Sequence, residues 1–173
     1  DILLTGNGMS KLYRNDGGSV FSEQTEIILP GLTNSSAAWG DYDNDGDLDM
    51  ASGKAGQNQL YVNNGNGTFT AQNQFGAPVS TITMAWADFD LDGDIDLAVG
   101  NGILGANQQN YLYVNNGNGT FTQRAEFGIN QTQTMAWADF DKDGDPDLAV
   151  GNGGFGTNQS NFLYVNNGNG TFT

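Results

Sequence analysis

Residues Trp86–Gly102 read WADFDLDGDIDLAVGNG, with aspartates at 88, 90, 92, 94 and 96 around the single Gly93. Two carboxylates about 4 Å apart repel by roughly 4 kcal/mol at an effective dielectric of 20. A loop built this way calls for something that offsets the repulsion. The pattern returns as WGDYDNDGDLDMASG from Trp39 and as WADFDKDGDPDLAVGNG from Trp137. Fifteen of the 17 aspartates fall in these three loops, so the net charge of −15 is concentrated in three places. Apolar segments such as TMAW and DLAVG flank each loop, which argues against a solvated acidic tail.

Working outward from the loops, self-similarity organises the whole chain. LYVNNGNGTFT occurs verbatim from Leu60, Leu112 and Leu163, and the tryptophans at 39, 86 and 137 stand 47 and 51 residues apart. The opening stretch DILLTGNGMSKLYRNDGGSVF is a degenerate fourth copy. Met84, Trp86 and Asp88 alternate with Ala85, Ala87 and Phe89, which is strand periodicity. DLAVG is a short apolar strand ended by glycine, and YLYVNN and TFT flank an Asn-Gly turn of the hairpin kind. The repeat therefore predicts an all-β chain of four short antiparallel strands per period, the size of one β-propeller blade. Three complete blades are expected over residues 39–78, 86–130 and 137–173, after a partial one over 1–31 that lacks its innermost strand. Residues 1–173 then make a single propeller segment of about 3.75 blades. Such a segment is expected to belong to a longer chain, or to associate with other copies or further blades, filaments included.

The loop spacing is D-x-D-x-D-G-D-x-D. Side chains at positions 1, 3 and 5 converge if the chain turns sharply, and the position-6 glycine permits that turn. Position 7 then offers a carbonyl and position 9 closes the shell, an all-oxygen cage of the coordination number calcium prefers. The chain has no histidine and no cysteine, which makes zinc and copper poor candidates. An EF-hand would need glutamate at position 12, where Ser52, Val99 and Val150 stand.

These loops running into DLAVG, with the Phe75-Gly76 and Phe127-Gly128 pairs, resemble the FG-GAP/VCBS repeat of integrin-α-like calcium-binding β-propellers. The resemblance implies a toroid, usually seven-bladed, with calcium in the loops between first and second strands. Carried over position by position, it implies three Ca2+ sites. Asp41, Asp43, Asp45 and Asp49 would ligate the first by side chain and Asp47 by its carbonyl. Asp88, Asp90, Asp92 and Asp96 with the Asp94 carbonyl would hold the second. Asp139, Asp141, Asp143 and Asp147 with the Asp145 carbonyl would hold the third. Asp1 stands where the last ligand of a fourth loop would be.

Composition excludes other classes. Five basic residues are too few for the phosphate neutralisation of nucleic-acid binding, and no apolar run has the length of a membrane-spanning helix. The tryptophans read as packing between blades. Sequons at Asn34, Asn66, Asn118, Asn130, Asn158 and Asn169 are candidates for glycosylation in a secretory host, three of them at hairpin tips. The expected function is a non-enzymatic, extracellular or cell-surface calcium-stabilised module for adhesion, surface structure or filament assembly, with glycans or extracellular proteins as partners. A carbohydrate-binding lectin is the alternative. A carboxylate-based polysaccharide-active enzyme ranks below both, because few acids remain outside the loops.

Overall fold

The computed structural model describes residues 2–6, 9–25, 36–53, 55–72, 75–103, 106–154 and 158–173. Asp1, Glu26, Asn34 and Lys54 lie outside them, as does the end of the first expected blade. Among the described residues every regular element is a strand, and all pairings are antiparallel. Strands β1 (Ile2–Gly6), β2 (Met9–Gly17) and β3 (Val20–Glu23) form one meander. Strands β4 (Ala37–Gly40), β5 (Asp49–Ser52), β6 (Ala55–Asn63) and β7 (Phe69–Ala71) form the next. Strands β8 (Phe75–Ala87), β9 (Asp96–Ile103), β10 (Ala106–Asn115) and β11 (Phe121–Asn130) form the third. Strands β12 (Thr132–Ala138), β13 (Asp147–Asn152) and β14 (Phe162–Tyr164) make the last, with a bridge between Asn166 and Phe172 beyond them. These are propeller-type blades in an open, partial arrangement.

Each repeat folds the same way because each carries the same alternation. Trp39 pairs with Met50, Trp86 with Leu97 and Trp137 with Leu148, so the first two strands of the last three blades share one register. The NNGNGT tips close as tight hairpins: Asn64, Asn116 and Asn167 each donate N–H to the carbonyl of the threonine four residues on, at 3.0 Å. One difference from the sequence expectation concerns residues 79–83, which fall between the blade expected to end at 78 and the strand alternation that starts at Met84. They are strand, because β8 is continuous: its Phe75–Ser80 half pairs with β6 and its Thr81–Ala87 half with β9. Four of the five residues of VSTIT are β-branched, so the run suits a pleated surface better than a loop.

The core lies between successive blades. Tyr42, Ala51, Leu60, Met84, Leu97, Val99 and Tyr113 form one buried cluster, with Trp86 and Phe121 packed against it. One repeat along, Phe89, Leu112, Phe127, Met135, Leu148 and Val150 form the second, against Trp137 and Phe172. Polar contacts repeat with the same phase. Trp86 Nε1 donates to the Ala38 carbonyl (3.2 Å), and Trp137 Nε1 to that of Ala85 (3.1 Å). Asn115 Nδ2 donates to the Tyr42 carbonyl (2.8 Å), and Asn166 Nδ2 to that of Phe89 (2.6 Å). Trp86 and Trp137 therefore pack between blades, as the sequence indicates.

The same repeat position is fully buried at Phe89 (1 % exposed) and largely open at Phe140 (54 %). Removing a buried ring costs about 3–5 kcal/mol, whereas surface changes stay within about 0.5 kcal/mol. Urea unfolding of Phe89→Ala should show a loss in the first range. Phe140→Ala should stay close to the second, and equal losses would contradict this packing.

Candidate metal centres

Each acidic loop joins the innermost strand of its blade to the second. The chain curls there through two left-handed residues: position 4 (Asn44, Leu91 and Lys142, φ 59°, 57° and 66°) and the position-6 glycine (Gly46, Gly93 and Gly144, φ 93°, 97° and 102°). Position 1 holds the curl shut, since Asp41, Asp88 and Asp139 accept the N–H of that glycine at 3.0, 3.0 and 3.2 Å. Position 5 braces it, since Asp45, Asp92 and Asp143 accept the N–H of position 7 at 2.9, 2.9 and 3.0 Å.

Position 9 is the anchor. Asp49, Asp96 and Asp147 are almost wholly buried. One oxygen of each accepts the N–H of position 2 (Tyr42, Phe89, Phe140) at 3.0, 3.1 and 2.9 Å. The other accepts the N–H of Asn63, Asn115 or Asn166, where the hairpin begins, at 2.8 Å in each case. The position-7 side chain faces away from the loop centre toward the hairpin tip. A Cβ on Gly117 would stand 2.5 Å from Asp94 Oδ2, and Gly65 and Gly168 meet Asp47 and Asp145 in the same way. Glycine is required there both for its positive φ and for room.

The carboxylates that converge differ among the loops. Ligand-capable oxygens of Asp41, Asp43 and Asp45 lie within 4.8 Å of one another in the first, those of Asp88, Asp90 and Asp96 in the second, and those of Asp139, Asp141 and Asp147 in the third. These clusters can hold metal ions. Asp49, Asp92 and Asp143 lie on the same loops outside these trios, and Asp47, Asp94 and Asp145 are turned toward the hairpins. Burial pushes Asp96 up to about 7 and Asp49 to about 6, with nearby carboxylates adding to the rise and two backbone N–H groups opposing it. Asp43, Asp90 and Asp141 are also raised, by burial first and by facing carboxylates after it. The donor set is oxygen only, and Asp88 Oδ1 is buried with no hydrogen-bond partner. An oxygen in that state, facing two more carboxylates, fits a hard cation.

Sequence reasoning missed two sets of residues. Asn63, Asn115 and Asn166 anchor position 9, and their signal was the verbatim LYVNNGNG, read only as a hairpin. Asn44 crosses to the neighbouring loop; nothing local in the sequence marks that contact.

Against known proteins, the profile of the FG-GAP-like repeat matches residues 1–52, 41–99 and 101–150, and that of the FG-GAP repeat matches 132–171. The chain belongs to the FG-GAP repeat family. Comparison with curated protein sequences gives no match. Among solved structures, it is similar to an Agrocybe aegerita lectin described for specific recognition of non-reducing terminal N-acetylglucosamine. That match has 18 % identity and a TM-score of 0.63, over 100 % of this chain and 48 % of the lectin's. At that identity the likeness is one of fold, and the chain spans about half the length of the lectin.

The raised carboxylates set a pH dependence. Asp96, with an ordinary value of 3.8 and a folded value of about 7, keeps its proton in the folded chain where the unfolded chain has released it. The folded state then binds more protons, so stability falls as pH rises across that interval and levels off above it. Asp49 adds the same trend up to about pH 6. Thermal melts in EDTA from pH 4 to 8 should show a falling melting temperature, and a rise over that range would contradict the burial argument.

Proposed function

We propose that each acidic loop binds one Ca2+ and that the ions lock the blades of a non-enzymatic, extracellular propeller module serving adhesion, surface structure or assembly. The observation that carries this reading is the convergence of three carboxylates in every loop, with Asp88 Oδ1 buried and unpaired at the second. The ligands are those of the D-x-D-x-D-G-D-x-D pattern: side chains at positions 1, 3, 5 and 9 and the carbonyl at position 7. Position 9 accepts N–H bonds with both oxygens, yet each oxygen retains a second lone pair for a cation. Calcium suits this shell better than magnesium, which demands a smaller octahedron and keeps its waters. Millimolar extracellular calcium would fill even weak sites. Each ion adds two charges, so three take the formal charge from −15 to −9.

Acids outside the loops support a non-enzymatic reading. Among the described residues, Asp16, Glu23 and Glu126 are each paired with a base, Arg14, Lys11 and Arg124, at 2.7 to 2.8 Å. None is held as a carboxylate pair across a cleft.

Calcium at a hundredfold excess over its Kd stabilises a protein by about 2.7 kcal/mol per site. Calorimetry with calcium against EDTA should show a clear rise in melting temperature, and coincident curves would overturn the reading. Within the second loop, Asp90→Ala should remove one ion from a calcium titration. Asp94→Asn should leave three bound, because its side chain faces the hairpin.

A second reading, carbohydrate binding, is favoured by the grooves between blades. Leu60, Gln72, Phe75, Gly76, Phe121 and Gln123 line one of about 300 Å³. A smaller groove of about 170 Å³ repeats one blade earlier, with Leu12, Gln24 and Phe69 in corresponding places. Apolar rings beside amide groups suit a sugar, and the structurally similar lectin recognises terminal N-acetylglucosamine. A glycan array with N-acetylglucosamine-terminated probes tests it. Binding should be present and lost on joint Gln72→Ala and Gln123→Ala substitution; a blank array would remove this reading.

A further inference from the structure

We propose that Asn44 is a positioning residue that couples the first cation loop to the second; this rests on the calcium reading of the loops. Asn44 occupies position 4 of the first loop, between Asp43 and Asp45, two members of its convergent trio. Its side chain leaves that loop and crosses to the next blade. Nδ2 donates to Asp94 Oδ1 at 2.7 Å and to the Gly93 carbonyl at 3.2 Å. Gly93 and Asp94 are the turn residue and the carbonyl ligand of the second loop. Asp94 thereby lies between the Asn44 amide, which bonds it, and the hairpin tip at Gly117, which stands close against it.

The consequence for binding follows from ordering. A cation in the first loop fixes Asp43 and Asp45 and with them the left-handed backbone of Asn44 between them. The amide is then presented in place, and Gly93 and Asp94 are ordered before the second loop takes its ion. The second ion bears less of the ordering entropy, which is positive cooperativity, and linkage makes the effect reciprocal. A coupling of about fivefold, or about 1 kcal/mol, is the low end for linked sites and less than the full worth of one hydrogen bond to a charged acceptor.

The chain carries its own control. Position 4 of the second loop is Leu91, with nearly the same backbone (φ 57° against 59°) and no polar atom in its side chain. Leu91 cannot make the corresponding bond to Asp145, so this coupling is missing between the second loop and the third.

The test uses the full chain in an Asp141→Ala background, which disables the third loop, with calcium titrated calorimetrically. The two remaining sites should fill cooperatively, the second ion binding about fivefold tighter than independent sites allow. Asn44→Gly keeps the left-handed conformation and removes the amide; its titration should become that of two independent sites. In the otherwise intact chain, Leu91→Asn should bring the third loop into the cooperative set. Should Asn44→Gly fold poorly by circular dichroism, the Leu91→Asn gain decides alone. Unchanged cooperativity in a folded Asn44→Gly, or no gain in Leu91→Asn, overturns the coupling and leaves the calcium reading standing. No calcium bound by the parent chain overturns both.

Discussion

Everything near the acidic loops depends on one buried carboxylate per blade, at Asp49, Asp96 and Asp147. Each accepts one N–H from the start of its own loop and one from the start of the hairpin two strands away. A single side chain thus ties the loop, the second strand and the third strand to one point. Removing it would leave two backbone donors unsatisfied in the interior, a loss far larger than that of one ordinary contact. At Asp49 and Asp96 the same burial that makes the anchor effective raises the carboxyl's proton affinity. Structure and charge are therefore opposed at these two residues until something positive arrives beside them.

The anchor also explains how successive blades stay in step. It fixes the backbone of Asn115 and Asn166, whose side chains reach back to carbonyls of the preceding blade. Beneath them lie the aromatic contacts, with Phe121 near Tyr42 and Phe172 near Phe89, at ring separations of 6.1 and 5.8 Å. Apolar burial supplies most of the attraction between blades, while these directional bonds set the phase in which they meet. A buried Thr–Asn network adds a second polar layer: Asn110 donates to the Thr132 hydroxyl, and that hydroxyl donates to Asn152.

Most of this fold is written in local chemistry and is legible for that reason. Period-two alternation from Met84 to Phe89, glycine at the turn of each loop and Asn-Gly at each tip are all short-range signals. The placement of Trp86 and Trp137 between blades follows from their recurrence. The candidate site was legible as a set of carboxylates but not as a division of labour. Convergence of positions 1, 3 and 5 holds in the first loop, while position 9 takes the place of position 5 in the other two. The double role of Asp96 depends on an N–H 19 residues away, and the Asn44 contact spans 50. The first is marked only by the recurrence of LYVNNGNG, and the second leaves no mark on the sequence around it. The continuity of β8 was missed because one strand belongs to two blades, and a reading by repeats places a boundary where the backbone has none.

That shared strand bears on where such a repeat can change length. Beyond the register shift between Thr81 and Thr83, side chains along β8 alternate between its two faces, so one residue gained or lost between Thr83 and Trp86 would turn Trp86 to the opposite side. The blade would be inverted relative to its neighbour, with no linker to absorb the error. The β9–β10 hairpin, by contrast, already differs in length between repeats: GNGILGANQQN has eleven residues where GKAGQN has six. New loops, grafted peptides or inserted domains belong at that junction, whereas β8 admits only exchange of whole repeats cut in the same phase.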